Sequence, residues 1–246
     1  MGRLVILSGP SCVGKGPLVA ALQKFYPDVA GRLRKFVLYD SRAPRPGEVD
    51  GRDFHFRSRQ YIEDLREKPG FDVFSVRNDL QAMDVDELER LLAESDVFFE
   101  GNPYIGSGLL DFVAEHKTEC LSVFLAPLSR EELVELTSAE KGVNAIDFLT
   151  DVMRRKLLRR TLKQKGILSL KDLENIEIRA GSAYGELQKA WRFDAVIPNH
   201  DGEDSDNWDA FYHPIGDARR TLQALAALLE GRRLGVVEQW PEGLVP

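Results

Sequence analysis

Residues Gly9-Pro10-Ser11-Cys12-Val13-Gly14-Lys15 follow the spacing G-x-x-x-x-G-K, directly after the apolar run Leu4 to Leu7 and directly before a stretch with helical spacing. Glycines at both ends let backbone N–H groups converge on one anion at a helix N-terminus, and the lysine adds a mobile positive charge. That combination suits phosphate. Neutralising charge is most of what phosphoryl transfer asks of a protein, so Lys15 is a candidate catalytic residue. Gly9, Pro10, Ser11, Cys12, Val13, Gly14, Lys15 and Gly16 are candidates to hold a nucleotide's phosphates. A glycine turn with a solvated lysine is the bland alternative, and the strand and helix on either side argue against it. Gly16-Pro17 stands where Ser or Thr usually offers a hydroxyl to magnesium. Pro17 fits the first turn of a helix without losing a hydrogen bond. Magnesium would then rest on water, nucleotide phosphates and a strand-end carboxylate, and Glu100 after Val97-Phe98-Phe99 is the candidate.

The elements around this loop follow from hydrophobic pattern. Short runs that do not alternate, Leu4 to Leu7, Phe36 to Tyr39, Val97 to Phe99, Leu121 to Leu125 and Ala195 to Ile197, read as strands buried on both faces. Helical spacing lies between them, as in Leu18-Val19-Ala21-Leu22, Leu88-Leu91-Leu92 and Leu109-Leu110-Val113. The repeated alternation implies an α/β fold with a doubly wound, five-stranded parallel sheet. Two charged regions interrupt it: Asp40 to about Asp86, and Ser129 to about Gly185, which carries Arg154-Arg155-Lys156-Leu157-Leu158-Arg159-Arg160. An acidic loop, His200 to Asn207, precedes a last amphipathic helix from Ala218 to Leu229. The tail from Gly235 carries Val237 and Trp240, which suit packing on the core or on a partner.

The chain of 246 residues accommodates one domain with small excursions. No apolar stretch approaches the roughly 20 residues that span a bilayer, and the opening residues become the glycine motif before a signal-peptide pattern develops. A cytoplasmic protein without membrane contact is expected. Cys12 and Cys120 lack the spacing of a disulfide framework or zinc site and read as reduced packing residues. A formal net charge of −7 argues against nonspecific nucleic-acid binding, although local arginines can still hold a small phosphorylated molecule.

The segment Tyr39-Asp40-Ser41-Arg42-Ala43-Pro44-Arg45-Pro46-Gly47-Glu48-Val49-Asp50-Gly51-Arg52-Asp53-Phe54-His55-Phe56 resembles the guanylate kinase signature T-T-R-x-P-R-x-G-E-x-x-G-x-D-Y-x-F at the same spacing. The resemblance implies a P-loop NTPase fold of the nucleoside monophosphate kinase type. Its core would take residues 1–39, 87–128 and 186–246, an acceptor-binding (NMP-binding) subdomain 40–86, and a lid 129–185. It implies ATP, Mg2+ and a small phosphorylated acceptor as ligands, in a monomer or homodimer. Arg42 and Arg45 would hold the acceptor phosphate, a task suited to planar guanidinium forks, with Pro44 and Pro46 fixing the turn. Glu48, Phe54, Glu100 and Asn102 would border the acceptor. Arg179, opening Arg179-Ala180-Gly181-Ser182-Ala183-Tyr184-Gly185-Glu186-Leu187, would reach the transferring phosphate, joined by Arg160 or its neighbour Arg159. Asn199, ending Phe193-Asp194-Ala195-Val196-Ile197-Pro198-Asn199, would lie near adenine.

The resemblance breaks where guanine would be read. The family's serine and glutamate positions carry Leu38 and Val73, the Y-G-T/S element is missing from Arg77 to Met83, and Phe54 replaces a tyrosine. Burying guanine's N–H donors unpaired would cost on the order of 1–3 kcal/mol each. An acceptor other than GMP, another nucleotide or a sugar phosphate, is therefore expected, with GMP as competitor should Asp72, Asp79 or Asp84 supply the carboxylate. A binding module of the guanylate kinase-like scaffold type is the alternative to an enzyme. Such modules typically lose the glycine loop, and here Gly9, Gly14 and Lys15 are present.

Overall fold

The computed structural model describes residues 2–45, 47–138 and 143–246. Met1, Pro46 of the arginine turn, and residues 139–142 of the expected lid region lie outside the described residues. In chain order the elements are β1 (Leu4–Ser8), α1 (Lys15–Phe25), α2 (Pro27–Ala30), β2 (Leu33–Lys35), β3 (Tyr39–Asp40), β4 (His55–Phe56), α3 (Arg59–Asp64), β5 (Phe71–Val76), β6 (Asp79–Asp84) and α4 (Val85–Glu94). They continue with β7 (Asp96–Gly101), α5 (Pro103–His116), β8 (Cys120–Ala126), α6 (Arg130–Leu136), α7 (Ala145–Lys165), α8 (Leu170–Leu187), β9 (Ala195–Pro198) and α9 (Gly216–Leu229).

The core sheet has five strands in the order β2-β7-β1-β8-β9, all parallel. β1 lies in the middle and is buried from end to end, as a strand covered on both faces must be. Ser8 pairs with Gly101 of β7, so the segments leaving these two strands open at one edge of the sheet. In open α/β sheets that carboxyl edge is where ligands bind.

The expected strand over Phe36 to Tyr39 is corrected. β2 is Leu33-Arg34-Lys35, and only its first hydrogen-bonded continuation, Phe36 N–H to Phe98 O at 2.8 Å, reaches the apolar run. An edge strand need not be apolar on both faces, whereas Phe36 and Leu38 are buried because the chain crosses between sheets there. The second sheet, β4-β3-β6-β5, is mixed, and its hairpin β5–β6 is antiparallel. It has a small core of its own in Ile62, Leu65, Leu80 and Ala82, with Tyr39, Phe71 and Val73 packed against them.

α7 and α8 insert Leu149, Met153, Leu157, Ile176, Ala180 and Leu187 into the main hydrophobic cluster. Ser129 and Ser169 open α6 and α8 with reciprocal capping boxes. The tail folds back on the core: Val237 and Trp240 are buried, Glu238 bridges Val196, and the Pro246 carbonyl accepts from Tyr184 Oη at 2.5 Å. Among the described residues no helix is long and apolar enough to cross a membrane.

Candidate active site

The loop after β1 is shaped by close approach. Gly9 and Gly14 have φ of 151° and 104°. A Cβ at Gly9 would fall 2.5 Å from the Leu125 carbonyl, and one at Gly14 2.6 Å from Asn199 Nδ2. Gly14 is the N-cap of α1 and no side chain caps that helix, so its first N–H groups are available to an anion. Lys15 Nζ lies buried under the loop and donates to the carbonyls of Gly9 and Pro10 at 2.7 and 2.9 Å. Burial lowers its pKa against the opposing pull of Glu203, Glu100 and Glu186, so an anion on the loop would favour the charged lysine.

Lys15, Arg42, Arg45, Arg160 and Arg179 line one cleft of about 250 Å³, together with Gly9, Ser11, Cys12, Glu48, Phe54, Glu100 and Asn102. The five cations come from four segments: the end of the glycine loop at the start of α1, the β3–β4 connection that carries both Arg42 and Arg45, α7 and α8. Arg42 is held by Glu48 through Nη1–Oε2 at 2.6 Å and Nη2–Oε1 at 2.8 Å, and by the buried Asp40 at 3.3 Å. Its guanidinium lies over the Phe54 ring at 5.0 Å, so the phenylalanine in place of tyrosine supplies a face rather than a hydroxyl. Glu48 also accepts the Arg45 backbone N–H at 2.7 Å, which ties the turn together.

On α7 the register is decided. Arg160 turns into the cleft and pairs with Glu203 at 2.9 Å, while the Arg159 side chain is 73% exposed. Arg179 has no carboxylate partner among the described residues; its Nε donates to Asn175 Oδ1 at 3.2 Å. Burial and the nearby guanidinium groups of Arg45, Arg77, Arg160 and Arg42 hold its pKa well below the arginine range. A cation in that position is stabilised by an incoming anion.

Two expected residues are engaged in hydrogen bonds within the protein. Asn199, expected near adenine, is fully buried, its Nδ2 donating to the carbonyls of Val13 and Asp201, each at 2.8 Å, so its amide braces the glycine loop. Asn102 borders the cleft, but its Oδ1 caps α5 by accepting Tyr104 N–H and its Nδ2 donates to Glu186 at 3.1 Å. Val73 faces the small core of the second sheet, away from the cleft, whereas Leu38 lines it.

Sequence reasoning missed Lys35, Arg77, Gln81 and Glu203, which also line the cleft. Gln81 Nε2 donates to Asp40 Oδ2 at 2.7 Å, which leaves the amide oxygen as an acceptor. The signal for Arg77 and Gln81 was the Arg77-Asn78 turn between two strands, whose hairpin register sets which side chains share a face.

For magnesium the donor set is sparse. Gly16 offers no hydroxyl, and no group of three metal-ligating side chains occurs among the described residues. Glu100 alone lies at the strand end, its pKa raised by burial against the pull of Lys15. One carboxylate suffices for an ion that keeps its waters and binds nucleotide phosphates, so the residues fit Mg2+ held in that manner.

A family model described as guanylate kinase matches residues 1–93. The chain is 34% identical over 164 residues to a guanylate kinase of Corynebacterium jeikeium, covering 63% of this chain and 78% of that one. It is 35% identical over 136 residues to a guanylate kinase of Idiomarina loihiensis, covering 55% and 62%. With guanylate kinase 1 of Oryza sativa it shares 32% over 161 residues, 63% of this chain but 38% of the rice protein. The crystal structure of guanylate kinase from Anaplasma phagocytophilum superposes with a TM-score of 0.55 at 18% identity, covering 94% of this chain and 85% of that one, a likeness of fold.

Proposed function

Since the chain belongs to the guanylate kinase family, we propose that it transfers the γ-phosphoryl group of ATP to a small phosphorylated acceptor. The observation that carries this reading is the convergence of Lys15, Arg42, Arg45, Arg160 and Arg179 on one cleft. In a protein of net charge −7, such a concentration of cations has a local purpose. The donor's phosphates would lie on the glycine loop over the start of α1, with Lys15 beneath them. Arg42 and Arg45 would hold the acceptor's phosphate, clasped in position by Glu48. Arg160 and Arg179 approach from the lid helices, where guanidinium groups stabilise charge that spreads over the transferring group. Mg2+, when bound, supplies further neutralisation of donor phosphates. No covalent nucleophile is required, because positioning and charge carry the reaction.

The acceptor we propose is a phosphorylated compound other than GMP. Leu38 presents hydrocarbon where guanine's donors would be paired, and Val73 packs away from the cleft. The polar groups on that wall are Gln81 and Arg77. An ADP-release screen with ATP over nucleoside monophosphates and sugar phosphates, with Lys15→Ala as control, tests both parts. Turnover of GMP alone would refute the acceptor reading. Absence of ATP binding at millimolar concentration would instead favour a binding module built on the acceptor cleft.

A further inference from the structure

The acidic loop before α9 does not lie free in solvent. A Cβ at Gly202 would fall 2.2 Å from the Cys12 carbonyl, so the loop's backbone touches the glycine loop directly and only glycine fits there. Glu203 N–H donates to that same carbonyl at 3.3 Å. The approach is braced from both sides. Asp201 accepts from Ser205 Oγ at 2.8 Å, Asn207 Nδ2 at 2.9 Å and Ala218 N–H at 3.0 Å, tying the loop to α9. Asp204 and Asp206 meet Lys156 and Lys163 of α7 at 3.7 and 2.7 Å. The loop thus bridges the phosphate loop and the lid helix. Its Glu203 side chain enters the cleft beside Lys15 and pairs with Arg160 Nη1 at 2.9 Å.

We infer that Glu203 sets the affinity for the donor: its carboxylate takes the position between Lys15 and Arg160 in which the donor's terminal phosphate would be neutralised, and must be displaced for the donor to bind. This rests on the donor site proposed above. Arg160 has one fork of donors facing the cleft, and a second anion brought within a few ångströms of Glu203 in a partly desolvated site is repelled. Burial raises the carboxyl's pKa, but Arg160, Lys15 and Arg45 outweigh it and keep Glu203 ionised. Loop and lid therefore separate, or the side chain swings out, when phosphate oxygens claim the same cations. Were Glu203 a holder of magnesium instead, its removal would act with the opposite sign.

Titration calorimetry on the full chain distinguishes these. Pyrophosphate without metal, and ATP with and without Mg2+, are titrated into the wild type, Glu203→Gln, Lys15→Ala and Asp206→Asn. Glu203→Gln is expected to tighten pyrophosphate and metal-free ATP about tenfold, in the direction set by removing a like charge. Asp206→Asn, the same charge change on the exposed part of the loop, is expected to change either by less than about twofold. Unchanged affinity in Glu203→Gln overturns the inference while the donor site stands, provided that Lys15→Ala loses binding. Weaker binding confined to the Mg2+ titration overturns it in favour of metal holding. If the wild type binds neither pyrophosphate nor ATP, the donor site falls and this inference with it.

Discussion

Arg77 and Glu186 are 109 residues apart in the chain, and their side chains meet at 2.6 Å. Glu186 is fully buried, and the same Oε1 accepts Asn102 Nδ2 at 3.1 Å and Ser182 Oγ at 2.9 Å. One carboxylate thereby joins the β5–β6 hairpin, the start of α5, and α8 a turn or two beyond Arg179. Removing one partner of a buried pair leaves an uncompensated charge and costs about 3–5 kcal/mol. Arg77→Ala should lie at the lower end, since Arg77 keeps some contact with water. Arg77→Ala combined with Glu186→Gln should cost less than the sum of the two single changes, because the neutral amide no longer needs the guanidinium. Urea unfolding of the four proteins measures the coupling, and additive losses would show that the pair does not bind the three elements together.

The glycine loop was legible because its residues are consecutive and backbone geometry alone defines their task. Arg42 and Arg45 were legible as part of a continuous segment whose spacing resembles a family signature. Arg160 could not be told from Arg159, since both belong to one basic helical run and only the packing of α7 decides which faces inward. Arg77 and Gln81 stayed hidden for a related reason: along a strand, a one-residue change of register exchanges the two faces. Glu203 is one of several acids in the His200 to Asn207 loop, and nothing in the sequence singles it out. Its place beside Lys15 depends on Gly202 resting against Cys12, a contact about 190 positions distant in sequence that no local pattern encodes.

His200, at the root of the same loop, lies between two carboxylates, with Nδ1 2.6 Å from Asp217 and Nε2 2.9 Å from Glu132. Burial lowers its pKa, but these two hydrogen bonds outweigh burial and raise it above the ordinary 6.5. A proton held more tightly in the folded state adds stability that is complete below the unfolded value and lost as pH rises through the folded one. The effect is modest, because the side chain is half exposed. Thermal unfolding of the wild type and His200→Gln between about pH 5 and 9 should show the wild-type advantage at the acid end, shrinking as His200 deprotonates. An advantage that grows with pH would mean that the carboxylates do not hold His200 protonated.

Asn199 offers a test of what its position means for nucleotide binding. Its side chain is fully buried and spans Val13 and Asp201, joining the glycine loop to the start of the acidic one. Asn199→Ala deletes the amide, strands the Val13 carbonyl and takes the acceptor from the Asp201 N–H, whereas the Asp201 carbonyl keeps Trp208 Nε1; each buried group left unpaired costs about 1–3 kcal/mol. The loop's grip on phosphate should loosen with that loss, because Gly14 is seated directly against Asn199 Nδ2. A residue that shapes the loop acts on any triphosphate alike, whereas one that reads adenine acts on ATP above all. Affinities for ATP, GTP and pyrophosphate are therefore expected to fall together in Asn199→Ala, with the ratio of ATP to GTP within about twofold of wild type. A selective loss of ATP with pyrophosphate unaffected would return Asn199 to the base and contradict the buried geometry.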